Sequence, residues 1–234
     1  LIQFSDIPTL MIGKLDLTIE QRFFKRLFDI AFSLLAILVL SPVMVLIALL
    51  VKITSDGPAI YSQERVTKDG KTFKLYKFRT MIDGAEEKTG PVLSTLDDPR
   101  ITPLGRFLRK TRLDEIPQFF NVLKGEMSMV GPRPERPCFV EQYCIELPEY
   151  GYRNVVKAGI TGFAQVLGYY DTTPDDKLRY DLMYIRNYSL LLDIKLIIQT
   201  LKVVLTGNNL HENEVFKNDF IYDSIKKEKN LLHM

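Results

Sequence analysis

Residues 31–51 read AFSLLAILVLSPVMVLIALLV, a run without one charged side chain and with Ser41-Pro42 at its centre. A segment so long and apolar has to leave water, and about 20 such residues suffice to cross the ~30 Å hydrocarbon core of a bilayer. Pro42 removes a backbone donor and crowds the preceding turn, so a bend is expected there. Three arrangements are open: a bent transmembrane helix, a re-entrant helix-break-helix that returns to the face it entered from, and a core helix of a soluble protein. Lysine and arginine beside a membrane segment mark its cytoplasmic side. Here both flanks are basic, with Arg22, Lys25 and Arg26 before the run and Lys52, Arg65, Lys68, Lys71 and Lys74 after it. Charge on both sides favours re-entry.

The chain has 234 residues, enough for one domain with a membrane anchor. A formal net charge of +2 leaves no global field to attract nucleic acid. The basic residues are grouped locally instead, as in RFLRKTR at 106–112, which suits an anionic membrane surface or a phosphate-bearing ligand. Cys138 and Cys144 form no CxxC pattern, and His211 and His233 lie far from them, which fits reduced thiols and argues against a zinc site. The sequence divides into a lead-in at 1–20, the apolar helix-break-helix at 21–57, a catalytic-sized body at 58–206 and a polar tail at 207–234. Within the body, residues 59–66 and 71–81 read as a β-hairpin turning at Lys68-Asp69-Gly70. Short helices are expected at 104–110, up to Lys124-Gly125, and at 135–147. GITG at 159–162 reads as a turn before a strand-like FAQVLGYY, and 175–206 as one long apolar helix, buried or interfacial. The fold class expected is α+β, mostly helical and membrane-associated, with a small β-hairpin.

The chemistry concentrates in TRLDEIP at 111–117. Pro117 fits only the first turn of a helix, which sets the helix start about three residues earlier and Asp114 near its N-cap. Asp114 and Glu115 would then share a helix N-terminus beside Arg109 and Arg112, an arrangement suited to a nucleophile or to Mg²⁺ ligands. A surface ion pair would explain the same residues. In GPRPE at 131–135, two prolines stiffen the backbone around Arg133 and hold its guanidinium ready for a phosphate. Arg79 in KFRTM and Arg100 in DDPRIT are further phosphate-binding candidates. No Walker loop or GxGxxG pattern is present.

FFKRLFDI (23–30), SQERVTKDGKTFKLYKFRTM (62–81), DDPRITPLGRFLRKTRLDEIPQFFNVLKGEMSMVGPRPE (97–135) and GITGFAQV (159–166) follow one another in that order. Together they resemble the bacterial sugar transferase family, the monotopic phosphoglycosyl transferases acting on polyprenol phosphate. The resemblance covers roughly 21–205 and is similar to the C-terminal catalytic domain of the larger hexose-1-phosphate transferases, which would account for a first residue other than Met. It implies transfer of a sugar 1-phosphate, expected to be a hexose 1-phosphate, from a UDP-sugar to undecaprenyl phosphate with release of UMP. It implies that Asp114 is the nucleophile, that Glu115 with Asp114 holds Mg²⁺, and that Arg109 and Arg133 bind phosphates. It also implies a re-entrant helix broken at Ser41-Pro42 on the cytoplasmic face of the bacterial inner membrane, membrane lipid as a partner, and a role in starting exopolysaccharide or capsule assembly; oligomeric state stays open, although an upstream region could provide a homodimer contact. Ala158 stands where the family often has Pro, and Glu126 where Asp is common. A non-catalytic, membrane-anchored scaffold binding polyprenol phosphate and a metal-dependent phosphohydrolase are the competing readings.

Overall fold

In a computed structural model, residues 17–87, 90, 92, 98–168 and 173–206 are described. The tail expected at 207–234 and all of the lead-in before Leu17 lie outside them. The architecture is α+β and mainly helical, with two sheets of two strands each among the described residues.

Helix α1 spans Ile19–Thr54, 36 residues. Thr18 caps it: its hydroxyl accepts from the Gln21 amide at 3.2 Å, and the Gln21 side chain accepts from the Thr18 amide at 2.9 Å. Both groups would otherwise be orphan donors of a helix start. The expected break at Ser41-Pro42 proves to be a defect inside one helix. Pro42 has no N–H for the carbonyl four residues back, which is that of Leu38, and the Ser41 hydroxyl donates to this same carbonyl at 2.9 Å. With its orphaned acceptor satisfied, the chain stays helical on both sides of the proline. Among the described residues α1 is the one helix long and apolar enough to cross a membrane.

One stripe of α1 faces the protein near both ends of the helix. Lys25, Asp29, Ser33, Ile47 and Val51 are buried, and Leu40, Met44 and Ala48 pack in between. Apart from a gap of two turns between Ser33 and Leu40, these positions follow the helical repeat. The opposite face, including Phe24, Leu27, Leu34, Leu38, Val45 and Ile53, is exposed and apolar. Charged residues fix the first turns. Lys25 donates to Asp193 at 2.6 Å and to the Tyr184 hydroxyl at 2.9 Å. Arg26 donates to the carbonyls of Val122 and Leu123 at 2.6 and 2.7 Å. Asp29 accepts from the Ser128 hydroxyl and the Met129 amide at 3.0 and 2.9 Å.

Strands β1 (Ile60–Val66) and β2 (Thr72–Phe78) form the expected antiparallel hairpin, with Ile60 opposite Phe78 and Val66 opposite Thr72. Asp69 makes the turn at φ 58°, a left-handed conformation that Asp tolerates better than most residues. Alternation on β2 sends Phe73 and Leu75 inward. Helix α2 (Pro103–Lys110) starts on a proline behind a Thr102 cap, and α3 (Gln118–Lys124) ends at Gly125 with φ 84°. Asn121 on α3 joins it to β2, accepting from the Tyr76 amide at 3.0 Å and donating to the Lys74 carbonyl at 2.7 Å.

Two expectations are corrected in the second half. GITG is not a turn: β4 (Gly159–Thr161) pairs in parallel with β3 (Ser128–Val130). The backbones approach so closely that a Cβ at Gly159 would stand 2.1 Å from the Gly131 nitrogen, so only glycine fits. The run after it is helix α5 (Phe163–Leu167), not a strand. The long helix expected at 175–206 is two helices, α6 (Pro174–Arg186) and α7 (Leu190–Thr206), with α4 (Pro137–Glu146) earlier in the chain. Asn187 ends α6, and the Ser189 hydroxyl accepts from the Leu192 amide at 3.1 Å to start α7. Leu192 and Leu196 of α7 are buried, while Leu191, Ile198, Leu201 and Leu205 are exposed.

Two apolar clusters result. The larger joins β2, α3, β3, α5, α6 and α7 through residues such as Leu75, Val122, Val130, Phe163, Tyr184 and Leu196. The smaller joins the second half of α1 to β2, α2 and the turn after it through Ile47, Val51, Phe78, Leu108 and Ile116.

Candidate active site

Asp114 and Glu115 lie on a single 3₁₀ turn, Leu113–Glu115, and not at the N-cap of α3. Pro117 explains the correction. It cannot donate to the Leu113 carbonyl, which accepts from Ile116 at 3.4 Å instead, so the segment winds as i to i+3 and α3 begins only after the proline. Arg112, at φ 56°, turns the chain sharply between α2 and this turn. A left-handed non-glycine residue at such a place costs on the order of 1 kcal/mol.

Both carboxylates are buried, and their surroundings differ. Glu115 is held by two cations, Lys77 Nζ at 2.7 Å and Arg133 Nη2 at 3.1 Å. Asp114 accepts no hydrogen bond from the described residues, and Lys77 stands 3.8 Å from it. Burial opposes ionisation of Glu115, but Lys77, Arg133 and Arg112 outweigh it and hold the carboxyl below its usual range. For Asp114 burial wins over Lys77, with the Glu115 charge adding to it, and the carboxyl titrates above its usual range. The pair thus contains one acid that is firmly ionised and neutralised, and one whose ionised form is disfavoured by burial.

Arg109 reaches the same turn from α2, where its Nε donates to the Thr80 hydroxyl at 2.8 Å. Its charge lowers the Asp114 pKa, as does that of Arg133. Asp114, Glu115, Arg109 and Arg133 are therefore brought together as expected. Arg79 and Arg100 are placed otherwise. Arg79 caps the end of α1, donating to the carbonyls of Asp56 and Ser55. Arg100 is paired with Asp98 at 2.6 Å. Ser41 and Pro42 lie on the exposed face of α1.

Lys77 was not anticipated, although its signal was present. Strict alternation from Phe73 and Leu75 puts residue 77 on the inward face of β2, where a lysine needs a partner. Among the described residues no third acidic, histidine or cysteine side chain joins the two carboxylates to close a metal site. Magnesium, however, is commonly held by one or two carboxylates together with substrate phosphates. The donor set fits a site that a phosphate ligand would complete.

The family model for bacterial sugar transferases matches residues 20–207. The chain is 45% identical over 188 residues to a UDP-N-acetylgalactosamine-undecaprenyl-phosphate N-acetylgalactosaminephosphotransferase of Aeromonas hydrophila, covering 79% of this chain and 44% of that protein. It is 46% identical over 182 residues to a UDP-glucose:undecaprenyl-phosphate glucose-1-phosphate transferase of Klebsiella pneumoniae, covering 76% and 39%. With an undecaprenyl-phosphate galactose phosphotransferase of Salmonella typhimurium it shares 43% over 201 residues, covering 80% and 41%. The chain thus spans less than half the length of these relatives.

Proposed function

The chain belongs to the bacterial sugar transferase family, and from that premise we propose that it moves a sugar 1-phosphate from a UDP-sugar to undecaprenyl phosphate, releasing UMP. The relatives' names supply both substrates. The observation that carries the chemistry is the asymmetry of the acid pair: Glu115 is bound by Lys77 and Arg133, while Asp114 beside it is buried and accepts no hydrogen bond from the described residues.

An Asp114 oxygen attacks the sugar-bearing phosphorus. The bond from that phosphorus to the oxygen bridging to uridylate breaks, and UMP leaves with the electron pair. An oxygen of undecaprenyl phosphate then attacks the same phosphorus, the acyl-phosphate bond breaks, and the Asp114 carboxylate is regenerated. Splitting the reaction in this way lets a soluble donor and a lipid acceptor use one site in turn. Desolvation of Asp114 favours attack, because a poorly stabilised carboxylate is the better nucleophile. Arg133 and Arg109 offset the repulsion between this carboxylate and the incoming phosphates. Glu115, with Asp114 beside it, would hold Mg²⁺, which supplies charge neutralisation for the donor diphosphate.

The membrane arrangement is re-entrant in this reading. Lys25 near the start of α1 and Val51 near its end are buried against the same body. That body carries buried ion pairs and polar loops, which a bilayer core does not accommodate. Both ends of α1 therefore belong to one face, the cytoplasmic face of the inner membrane where nucleotide sugars are made, and the exposed apolar side enters the lipid. The product would start exopolysaccharide or capsule assembly.

The test is UMP release from UDP-glucose, UDP-galactose and UDP-N-acetylgalactosamine with undecaprenyl phosphate and Mg²⁺, for wild type and Asp114→Asn. Release by wild type alone, with a mass increase of one phosphosugar on the peptide carrying Asp114, is expected. Undiminished release by the variant would remove Asp114 as nucleophile, and sugar phosphate ending in solution would make the protein a hydrolase. For topology, single cysteines at the exposed polar positions 20 and 56 in a Cys138→Ser, Cys144→Ser background should react with an impermeant maleimide from the same side of sealed vesicles.

A further inference from the structure

The segment that carries Arg133 is short of donors, because Pro132 and Pro134 have no N–H. It still presents a carbonyl at every residue, and four in succession find external donors. Pro132 accepts from the Gly159 amide at 2.9 Å and Glu135 from the Val66 amide at 2.9 Å. Pro134 accepts from Arg65 Nη1 at 3.2 Å. Arg133 itself accepts from Arg153 Nη2 at 2.9 Å. The loop is thus held carbonyl by carbonyl, and two of the four donors are arginines distant in sequence.

Arg153 is the more constrained of the two. Its Nε and Nη2 both meet Asp181 Oδ2, at 2.8 and 2.7 Å, and its Nη1 donates to the Tyr150 hydroxyl at 2.8 Å. The Tyr150 ring lies 4.8 Å from the guanidinium carbon. The side chains of Arg153 and Asp181 are each 2% exposed. A buried ion pair of this kind adds little net stability compared with an apolar pair of the same shape. Its presence is better explained by what it holds, which is the backbone of the residue whose guanidinium meets Glu115 at 3.1 Å.

We propose that Arg153, oriented by Asp181 and Tyr150, is a positioning residue that fixes the Arg133 backbone, so that the Arg133 guanidinium is presented to Glu115 and to the donor diphosphate. This role rests on the transferase reading. A lysine at 153 could keep the charge against Asp181, but a single ammonium cannot serve Asp181, Tyr150 and the Arg133 carbonyl in the planar geometry of a guanidinium.

The experiment is a double-mutant cycle on the full chain in detergent, reading kcat and KM for the preferred UDP-sugar with melting curves alongside. Arg153→Lys should lower kcat/KM about 10- to 100-fold, the scale of a misplacement of about 1 Å, while the protein still melts cooperatively. In an Arg133→Ala background the same change should cost less than about twofold, because the group it positions is gone. Equal losses in both backgrounds would overturn the role and reduce Arg153 to general support. If Arg153→Lys does not fold, Tyr150→Phe takes its place in the cycle, with the same non-additivity expected and additivity again overturning the role. Wild type that releases no UMP from any UDP-sugar would instead overturn the transferase reading, and this role with it.

Discussion

Two groups of buried opposite charges lie in the same body and are built to different ends. In the Lys25–Asp193–Tyr184 group the ion pair is closed: Lys25 and Asp193 are 2.6 Å apart with side chains 8% and 0% exposed, and the Tyr184 hydroxyl serves both Asp193 and the Val130 carbonyl. In the Lys77–Asp114–Glu115–Arg133 group the cations reach toward solvent, with Lys77 and Arg133 side chains 21% and 39% exposed. There two carboxylates adjoin, and one of them lacks a hydrogen bond from the described residues. The closed group joins α1 to α6 and α7 and leaves nothing over. The open group leaves part of its charge facing solvent. Burial of charge alone does not mark a site; incomplete satisfaction with access to water does.

Replacement of each acid should separate the two groups most sharply. Asp114→Asn is expected to lower the rate of UMP release by about 10³-fold or more, as loss of a nucleophile does, with the melting transition retained. Asp193→Asn should do the reverse, costing about 3–5 kcal/mol of stability by leaving Lys25 buried and unpaired, while turnover per folded molecule is kept. Thermal melts and rates on the two variants decide whether the contrast holds.

A double replacement sharpens it. Lys25→Met alone should destabilise by about 3 kcal/mol, but Lys25→Met with Asp193→Leu should regain most of that loss, because apolar packing substitutes for a closed pair. No pair of apolar residues should restore turnover at Lys77 and Glu115. Next in size, Lys77→Met should lower kcat/KM about 10- to 100-fold, since Glu115 then keeps Arg133 as its close partner and binds less well in the required geometry. An unchanged rate would make Lys77 a structural residue.

The smallest effect concerns the Asp98–Arg100 pair, which belongs to neither ion-pair group. Hydrogen bonding by Arg100 lowers the Asp98 carboxyl from 3.8 to about 2. A carboxyl depressed on folding contributes stability that is fully present above the unfolded value and lost as pH falls toward the folded one. Acid melts of wild type should therefore lose stability as pH falls between those two values while melts of Arg100→Met change less, so that the gap between the two proteins is widest at neutral pH and closes in acid.

Legibility from the sequence followed the range of the interactions. The hairpin and α2 were readable because alternation, turn residues and a proline behind a threonine cap act within a few positions. Asp114, Glu115, Arg109 and Arg133 were readable as reactive residue types, but a surface ion pair explained the acids equally well and only the family resemblance gave the four residues roles. The roles of Arg79 and Arg153 were not, because their acceptors lie 24 and 20 residues away and only the fold brings them near. β3 and β4 escaped notice because each has three residues and pairs in parallel with a distant partner. The break between α6 and α7 could have been found: Asn187 and Ser189 are ordinary stop and start residues, passed over because the apolar pattern continued across them.

The inward stripe of α1 has a consequence for how the protein comes into being. Ile47 and Val51 complete the smaller core, and Lys25, Arg26 and Asp29 hold the end of α3, β3 and α7. The anchor is thus not a tether that can be cut from a soluble enzyme. A polypeptide starting after Thr54 would expose the floor of one core and leave Asp193 buried without its cation, so it should aggregate and not fold. If α1 enters the bilayer as proposed, biosynthesis must deliver the helix and close the body over it as one event, which would make arrival at the membrane a condition of folding.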